Sequence, residues 1–513
     1  MTLGSIAAYA AMLLGAIAAF LLIRSYGEAL GAPSLVIQSG SPAAAEPAAT
    51  ANPIFHVLLA MAAVIVAGRA LGNLFTAIRQ PPVIGEVLAG ILLGPSLLGR
   101  IAPAASTYIL PPHVAPLLNV VAQLGVILYM FIVGLELNVD RLRHRAHATI
   151  LTSHASIIAP FVLGSILALY LYPRLATANV PFTSFALFMG VAMSITAFPV
   201  LARILADRRM TETELGVVAL TCAAVDDVTA WCLLAFVVGV AQAKLHGAAV
   251  VALLTVGFIA FMFLVIRPGI ARLVQRDQRR NRGTRGFDQL SPLPAGPAVI
   301  VPGALNRVLH ADPKDSRDVE ASRGVDEAKG AVDSEVVALV LAGVLFSALT
   351  TELIGVHAIF GAFLFGAVVP HDSRLARTLT GKLKDLVTIL LLPAFFAFAG
   401  MRTRIDLVSS SSEWLMCILI TVVATVGKFG GSLVAARLTG MPLRDAAALG
   451  ILMNTRGLME LIVLNIGLDL GVISPTLFTM MVLMALGTTM ATTPLLEMLG
   501  APRLELTPHW ARR

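Results

Sequence analysis

The stretch GVVALTCAAVDDVTAWCLLAFVVGV, from Gly216 to Val240, decides how this chain folds. It is long enough to cross a bilayer, yet two adjacent aspartates, Asp226 and Asp227, lie near its middle. Each ionised carboxylate at that depth costs roughly 2.5–3.5 kcal/mol on insertion scales. Packing does not require such residues, and the segment continues apolar on both sides, which disfavours snorkelling to an interface. The pair therefore predicts a membrane helix that binds, exchanges or relays small cations or protons.

The composition extends this prediction to the whole chain, because 57% of its 513 residues are hydrophobic and 13% are charged. An ordinary soluble domain has about a quarter of its residues charged. The apolar runs are long and continuous, which favours a polytopic helical membrane protein over a transmembrane barrel. The net charge of +7 fits the positive-inside bias and does not indicate nucleic-acid binding. Three cysteines within apolar runs predict neither a disulfide framework nor a resident metal or other cofactor.

A helical span needs about 20 apolar residues, and this length divides the chain into successive segments. An N-terminal apolar run covers residues 6–23, which we interpret as an uncleaved helix, with a cleaved signal peptide as the alternative. About thirteen further segments lie near residues 55–76, 83–98, 115–137, 148–171, 183–205, 214–241, 248–268, 334–350, 354–370, 384–400, 412–436, 444–468 and 474–498.

The basic residues of the loops predict the orientation of these segments. If thirteen core segments are present, one side holds most of the cations: Arg141, Arg143, Arg145, Arg203, Arg208, Arg209, Arg374, Arg377, Lys382, Lys384, Arg437, Arg444, Arg503, Arg512 and Arg513. The opposite loops hold Arg100, Arg174, Lys244, Arg402 and Arg404. By the positive-inside rule the rich side is cytoplasmic. The core then starts outside and ends inside a bacterial-type inner or plasma membrane.

The pattern of apolar and polar stretches predicts five parts. Residues 1–52 form an extra apolar helix and a polar linker, and residues 53–274 form the first half of the membrane domain. Residues 275–333 are a polar, Arg-rich cytoplasmic linker, predicted to be partly disordered. Residues 334–500 form the second half, and residues 501–513 form a short cytoplasmic tail.

Two apolar segments are interrupted near their middles. The first contains Thr196 and Pro199, and proline removes a backbone donor and frees an upstream carbonyl. The second contains Asn454 to Gly457, with Arg456 in the break and Glu460 one turn later. Non-helical backbone at membrane depth is tolerated where it is buried or lines a wet cavity. Corresponding breaks in two halves are typical of transporters built from inverted repeats, although a simple kink at Pro199 stays an alternative.

Lys428 is a further charge within an apolar segment, flanked by glycines that permit close helix approach. A buried lysine requires a carboxylate partner, and Asp226 or Asp227 is the natural candidate. Snorkelling of its long stem to an interface is the alternative. Adjacent helical residues diverge by ~100°, so we expect one aspartate to pair with Lys428 while the other faces an ion cavity. Spacing alone does not choose between them.

At this point the chain resembles the monovalent cation:proton antiporters of the second group. The resemblance covers about residues 55–500. It is carried by QPPVIGE at residues 80–86, GILLGP at 90–95, LGV at 124–126, GLEL at 134–137, SITAFPVLAR at 194–203, AVDDV at 224–228 and RGLMEL at 456–461. Stretches near residues 355–363 and 460–467 are also similar to plant cation/proton exchangers.

The resemblance implies an inverted-repeat antiporter fold, with a core of two crossed broken helices beside a dimerisation domain. It places Asp226 with Lys428 and Asp227 at the transported monovalent cation. Thr196 and carbonyls freed near Pro199 would complete the cation's coordination, since hard cations take oxygen ligands. Arg456 and Glu460 would support the second break, with a structural salt bridge as the alternative.

We therefore hypothesise a secondary transporter, not an enzyme, that exchanges Na⁺ or K⁺ for protons and contributes to pH homeostasis. Protons and metal cations compete for one site, and competition with alternating access gives exchange. The resemblance implies that access alternates through an elevator-like movement of the core. Two aspartates and a lysine suggest an electrogenic cycle. The expected partners are the two ions, the lipid bilayer and a second copy in a homodimer. The alternatives are a channel-like or sensory protein of the same fold and a sodium-coupled organic-anion symporter.

Overall fold

The computed structural model describes residues 3–33, 53–111, 114–136, 146–178, 180–211, 213–242, 245–276 and 334–500. The predicted linker, apart from its first two residues, and the predicted C-terminal tail lie outside the described residues. So do Arg141, Arg143 and Arg145, whose loop contributed to the predicted orientation. The predicted domain boundaries therefore stay predictions.

The described residues form a series of helices. Residues 3–261 contain α1 (Leu3–Gly27), α2 (Pro53–Ala77), α3 (Pro82–Leu93), α4 (Ala115–Glu136), α5 (Ala146–Leu175), α6 (Phe182–Ser194), α7 (Phe198–Asp207), α8 (Glu214–Gln242) and α9 (Leu245–Phe261). The second half contains α10 (Ser334–Ile354), α11 (Ala358–Val368), α12 (Arg374–Leu386), α13 (Leu392–Arg402), α14 (Ser411–Leu438), α15 (Leu443–Met453), α16 (Leu458–Asp469) and α17 (Pro475–Met498). Short helical turns at Leu98–Ile101, Pro103–Ile109 and Ile405–Leu407 and π-helical turns at Met262–Ile266 and Val387–Leu391 lie between them.

The predicted polytopic helical membrane fold is confirmed. Within the described residues, 12 helices are long and apolar enough to cross a membrane, and 13 if the bent pair α15 and α16 counts as one span. The segment predicted at 354–370 differs, because α11 within it has only 11 residues. At 1.5 Å per residue such a helix rises about 17 Å, which is shorter than the hydrocarbon core of a bilayer.

Small residues let the helices around the aspartates pack closely. α14 lies along α5, and α5 lies along α6 and α8, so these four helices surround the middle of the molecule. A methyl group added at Gly427 of α14 would lie 2.7 Å from the Cα atom of Pro160 in α5. Because lipid tails give helices no hydrophobic reason to associate, such close backbone contact supplies the packing energy.

The crossing of α4 and α11 provides a test of this packing. In Gly366→Ala the new methyl group would lie 2.3 Å from the carbonyl oxygen of Phe131, so the two helices must separate. We expect the free energy of unfolding to fall by about 1–3 kcal/mol, seen as a lower thermal unfolding midpoint in detergent. Gly381→Ala in α12 is the matched control, because nothing lies within 4 Å of its added methyl group. Equal midpoints for the two variants would contradict this account.

Candidate ion site

Two interrupted helices meet at the centre of the fold. α6 ends at Ser194 and α7 begins at Phe198, while α15 ends at Met453 and α16 begins at Leu458, with a bend of 44°. The backbone N–H of Ala197 in the first break donates to the carbonyl oxygen of Thr455 in the second, at 2.9 Å. The two breaks are thus bonded directly to each other, and part of the non-helical backbone is satisfied by protein.

Pro199 starts a helix instead of kinking one. It lies in the first turn of α7, where a backbone N–H would have no helical partner in any case. The interruption itself is the extended backbone at Ile195 and Ala197. Pro199 therefore fixes where the second half-helix begins.

Asp226 is held by four donors. The hydroxyl of Ser153 donates to Oδ1 at 2.6 Å, and the hydroxyl of Ser156 donates to Oδ2 at 2.8 Å. Lys428 Nζ donates to Oδ2 at 2.8 Å, and Thr196 Oγ1 lies within hydrogen-bond distance of the same atom at 3.0 Å. Since Asp226 and Lys428 are both fully buried, this is a desolvated ion pair whose carboxylate is well supplied with hydrogen bonds.

Asp227 has the opposite surroundings. It is 3% exposed, and neither of its carboxylate oxygens accepts a hydrogen bond from any described residue. Buried polar atoms are nearly always hydrogen-bonded, so a buried carboxylate without partners requires an explanation. It follows Asp226 directly on α8, and the ~100° turn between successive helical residues aims it away from Lys428. Such a group is suited to hold a proton or a cation.

Lys428 lies at the first break and not at an interface. Besides Asp226, its Nζ donates to the carbonyl oxygen of Ser194, the last residue of α6, at 2.5 Å. The C-terminal end of a helix carries partial negative charge, so this contact is favourable. Thr196 lies beside the same pair, with its hydroxyl also 3.1 Å from the carbonyl oxygen of Met453. The structure thus brings Thr196 to Asp226, and Thr196 forms no hydrogen bond with Asp227.

Arg456 and Glu460 form a second buried ion pair, with Arg456 Nη1 3.0 Å from Glu460 Oε2 and both side chains fully buried. The guanidinium also reaches back to α6, where Nη1 donates to the carbonyl oxygen of Ala192 at 3.2 Å and Nη2 to that of Met193 at 2.9 Å. Arg456 and Lys428 together donate hydrogen bonds to the carbonyl oxygens at the end of α6, which have no partners within the helix. These carbonyls therefore bind side-chain cations within the protein.

Ser153 and Ser156 were not among the predicted site residues. They belong to α5, about 70 residues before the aspartates, and are fully buried. The signal in the sequence was a pair of serine hydroxyls three residues apart in a mostly apolar helix, a spacing that places both on one face. That spacing predicts two donors aimed together, but the segment alone does not indicate their acceptor.

Arg456→Lys tests the role of the guanidinium fork. Lysine keeps the charge but cannot serve Ala192, Met193 and Glu460 at once, because its ammonium is a compact donor on a flexible stem. Buried acceptors left without donors lower stability, so we expect a loss of about 2 kcal/mol or more in detergent unfolding. Arg377→Lys, at an exposed position of α12, should leave the midpoint unchanged. Equal behaviour of the two variants would show that the fork is dispensable.

Comparisons with known proteins identify the family of this chain. The family model described as sodium/hydrogen exchanger, transmembrane, matches residues 59–294 and 330–498. The chain is 40% identical to the Na(+)/H(+) antiporter NhaS4 of Synechocystis over 446 residues, which cover 86% of this chain and 97% of that protein.

Two eukaryotic proteins are also similar, although the chain spans only about half the length of each. It is 38% identical to Cation/H(+) antiporter 20 of Arabidopsis thaliana, covering 86% of this chain and 49% of that protein. It is 31% identical to K(+)/H(+) antiporter 1 of Saccharomyces cerevisiae, covering 83% of this chain and 44% of that protein.

The fold is similar to a solved structure of the sodium proton antiporter MjNhaP1 from Methanocaldococcus jannaschii. The TM-score is 0.60 at 12% sequence identity, with 88% of this chain and 100% of that chain covered. At that identity the likeness establishes the fold alone. The family match and the relative aligned over nearly its whole length establish more: this chain belongs to the transmembrane sodium/hydrogen exchanger family.

Proposed function

We propose that this chain is a secondary transporter that exchanges a monovalent cation, Na⁺ or K⁺, for protons by alternating access. One observation supports it most: Asp227 is a buried carboxylate without a hydrogen-bond partner among the described residues, beside a carboxylate with four. Its oxygens can bind a proton or a hard cation, but not both at once. The relatives named as Na(+)/H(+) and K(+)/H(+) antiporters support the same two ions.

The charges of the site suit a single cation. The site contains three carboxyl groups, on Asp226, Asp227 and Glu460, and two cations, Lys428 and Arg456, so the five buried side chains carry a formal charge of −1 when all are ionised. One proton or one monovalent cation on Asp227 makes the site neutral.

We further propose that the cycle is electrogenic, with two protons exchanged for each cation. Asp227 alone carries one proton in exchange for one cation, which moves no net charge. The pair of Lys428 and Asp226 supplies a second group that can take up or release a proton when the site changes its occupant. The chemistry thus offers two protonatable positions within one site.

The assembly and orientation also belong to this proposal. We infer a core formed by α5 to α8 and α14 to α17, which carries the site and moves relative to a dimerisation domain formed by the other helices. The protein would act as a homodimer in a bacterial-type plasma membrane, with the C-terminus in the cytoplasm. The excess of basic residues on one side of the predicted topology supports this orientation.

Purified protein in liposomes with an internal pH dye tests the function. Addition of Na⁺ or K⁺ outside should drive protons out of the lumen with saturable kinetics, and choline should not. With the membrane potential clamped, the rate should exceed the rate without a clamp if the cycle is electrogenic. Non-saturating flux without proton movement would indicate a channel and contradict the proposal, as would sodium-driven uptake of a labelled organic anion.

A further inference from the structure

A polar cavity of about 490 Å³ opens at one end of the bundle, away from the aspartates. The turn between α2 and α3, the C-terminal end of α7 and the last turns of α17 form its walls. Among the described residues, six charged side chains line it: Arg79, Arg203, Asp207, Arg208, Arg209 and Glu497. Its volume falls within the ~300–1,000 Å³ of small-molecule sites.

The net charge of this cavity is positive, so the cavity does not suit a cation. Four arginines against two carboxylates leave a formal charge of +2. Arg203 pairs with Asp207 at 3.1 Å, and Arg208 pairs with Glu497 at 3.2 Å. Arg79 is 3.9 Å from the already engaged Glu497, and Arg209 forms no ion pair with any described residue. The excess positive charge therefore lies on Arg79 and Arg209 and attracts anions.

The backbone at these two arginines is also unusual. Arg79 has φ of 59° and Arg209 has φ of 56°, and no other non-glycine residue in the described part of the chain has a positive φ. Both follow a helix and close it in the same way. The next N–H donates back to the carbonyl five residues earlier, Gln80 to Phe75 and Met210 to Leu205, both at 2.8 Å. This motif favours glycine at the left-handed position.

Elsewhere the same chain uses glycine at this position of the motif. Gly355, Gly440 and Gly471 have φ of 92°, 91° and 66°, and the residue after each donates to a carbonyl five positions back. Two helix ends that are distant in sequence depart from this rule, and both place an arginine at the same cavity. Strained backbone that persists where glycine would relieve it points to a function of the side chain.

We propose that this cavity binds an anion bearing phosphate groups, held by Arg79 and Arg209 from different walls. A guanidinium donates two parallel hydrogen bonds to phosphate oxygens, and the formal charge of +2 on the residues that line the cavity matches the charge of a phosphate dianion. The phosphate belongs either to a lipid headgroup reaching into the cavity or to a free phosphate compound. Both sources share the chemistry that the arginines recognise.

Thermal unfolding of the purified full-length protein in detergent tests the site without requiring transport, so its outcome is independent of the proposed exchange. The probe is inorganic phosphate as its Tris salt, compared with Tris chloride at equal ionic strength. Phosphate should raise the unfolding midpoint of the wild type by ~2 °C or more at saturation. If phosphate and chloride give the same midpoint, and the wild type and the double variant described below retain equal amounts of lipid, the proposal is overturned.

The double variant Arg79→Gly, Arg209→Gly separates binding from structure. Glycine relieves the backbone strain, so without phosphate the midpoint should equal or exceed that of the wild type, while the phosphate-dependent shift disappears. Arg377→Gln removes an exposed arginine outside the cavity and should keep the full shift. A double variant that is less stable than the wild type, yet keeps the shift, would assign the two arginines a purely structural role and overturn the proposal.

Lipid binding distinguishes the two sources. Wild type and double variant are reconstituted into vesicles of phosphatidylcholine with one quarter phosphatidylglycerol, extracted, and analysed for retained lipid. Retention of phosphatidylglycerol by the wild type but not by the double variant identifies a headgroup. Equal retention with a phosphate shift confined to the wild type identifies a free phosphate compound. Equal retention and no phosphate shift contradict an anion site.

Discussion

Asp227→Asn is expected to abolish cation-driven proton movement while leaving the fold at least as stable as the wild type. The substitution keeps the shape of the side chain but removes the group that takes a proton or a cation. Since no described residue donates a hydrogen bond to Asp227, its replacement breaks none of the contacts described above. It also removes a desolvated negative charge, which burial penalises. Asp227→Asn should therefore lose transport activity while its stability stays the same or rises.

The liposome assay with a pH dye measures the first half of this prediction, and thermal unfolding in detergent measures the second. In the assay the variant should be indistinguishable from protein-free liposomes for both Na⁺ and K⁺. Asp385→Asn, at an exposed position of α12, is the matched control and should transport like the wild type. Residual exchange near the wild-type rate in Asp227→Asn would place the exchanged ion elsewhere.

Breaking the pair of Asp226 and Lys428 should instead destabilise the protein by about 3–5 kcal/mol, because either single change leaves a buried charge without its counter-charge. Lys428→Met retains the volume of the side chain but removes the contacts of Nζ with Asp226 and with the Ser194 carbonyl. Asp226→Asn leaves Lys428 fully buried beside an uncharged amide. Both variants should show a strongly lowered unfolding midpoint.

The double variant Asp226→Asn, Lys428→Met should recover much of this loss, since replacing both members of a buried pair is often close to neutral. A double-mutant cycle should therefore give a coupling free energy of at least about 3 kcal/mol, because the double variant loses less stability than either single variant. Lys382→Met, at an exposed position of α12, is the control and should leave the midpoint near that of the wild type. Additive losses in the double variant would contradict a direct pair.

Much of the fold was predictable because hydrophobic length is a local property of the sequence. The apolar segments, the two breaks and the aspartates within α8 were each visible in a single stretch. α11 was the exception, since a continuous apolar run at residues 354–370 conceals the turn at Gly355, where φ is 92°. The apolar composition of such a run does not indicate where one helix ends and the next begins. The structure shows this boundary directly.

The residues of the candidate site could be predicted from the sequence better than the contacts between them. The divergence of adjacent helical residues required one aspartate to face Lys428, but the absolute rotation of α8 depends on packing with α5 and α6. The choice of Asp226 came from resemblance, and the 2.8 Å contact now lies in the structure, while the roles of both aspartates stay predictions. Ser153 and Ser156 were missed because their acceptor lies about 70 residues away. The contacts of Arg456 with the end of α6 were missed for the same reason, because these residues are also far apart in the sequence.

Cation-induced proton release from the purified protein tests the central claim most directly, because it needs no membrane and no transport. The protein is placed in weakly buffered detergent solution with a pH dye, and NaCl or KCl is added, with choline chloride as the control. The wild type should release protons in a saturable, cation-dependent manner, and Asp227→Asn should release none. Equal release from the wild type and from Asp227→Asn would show that Asp227 is not where cation and proton exchange.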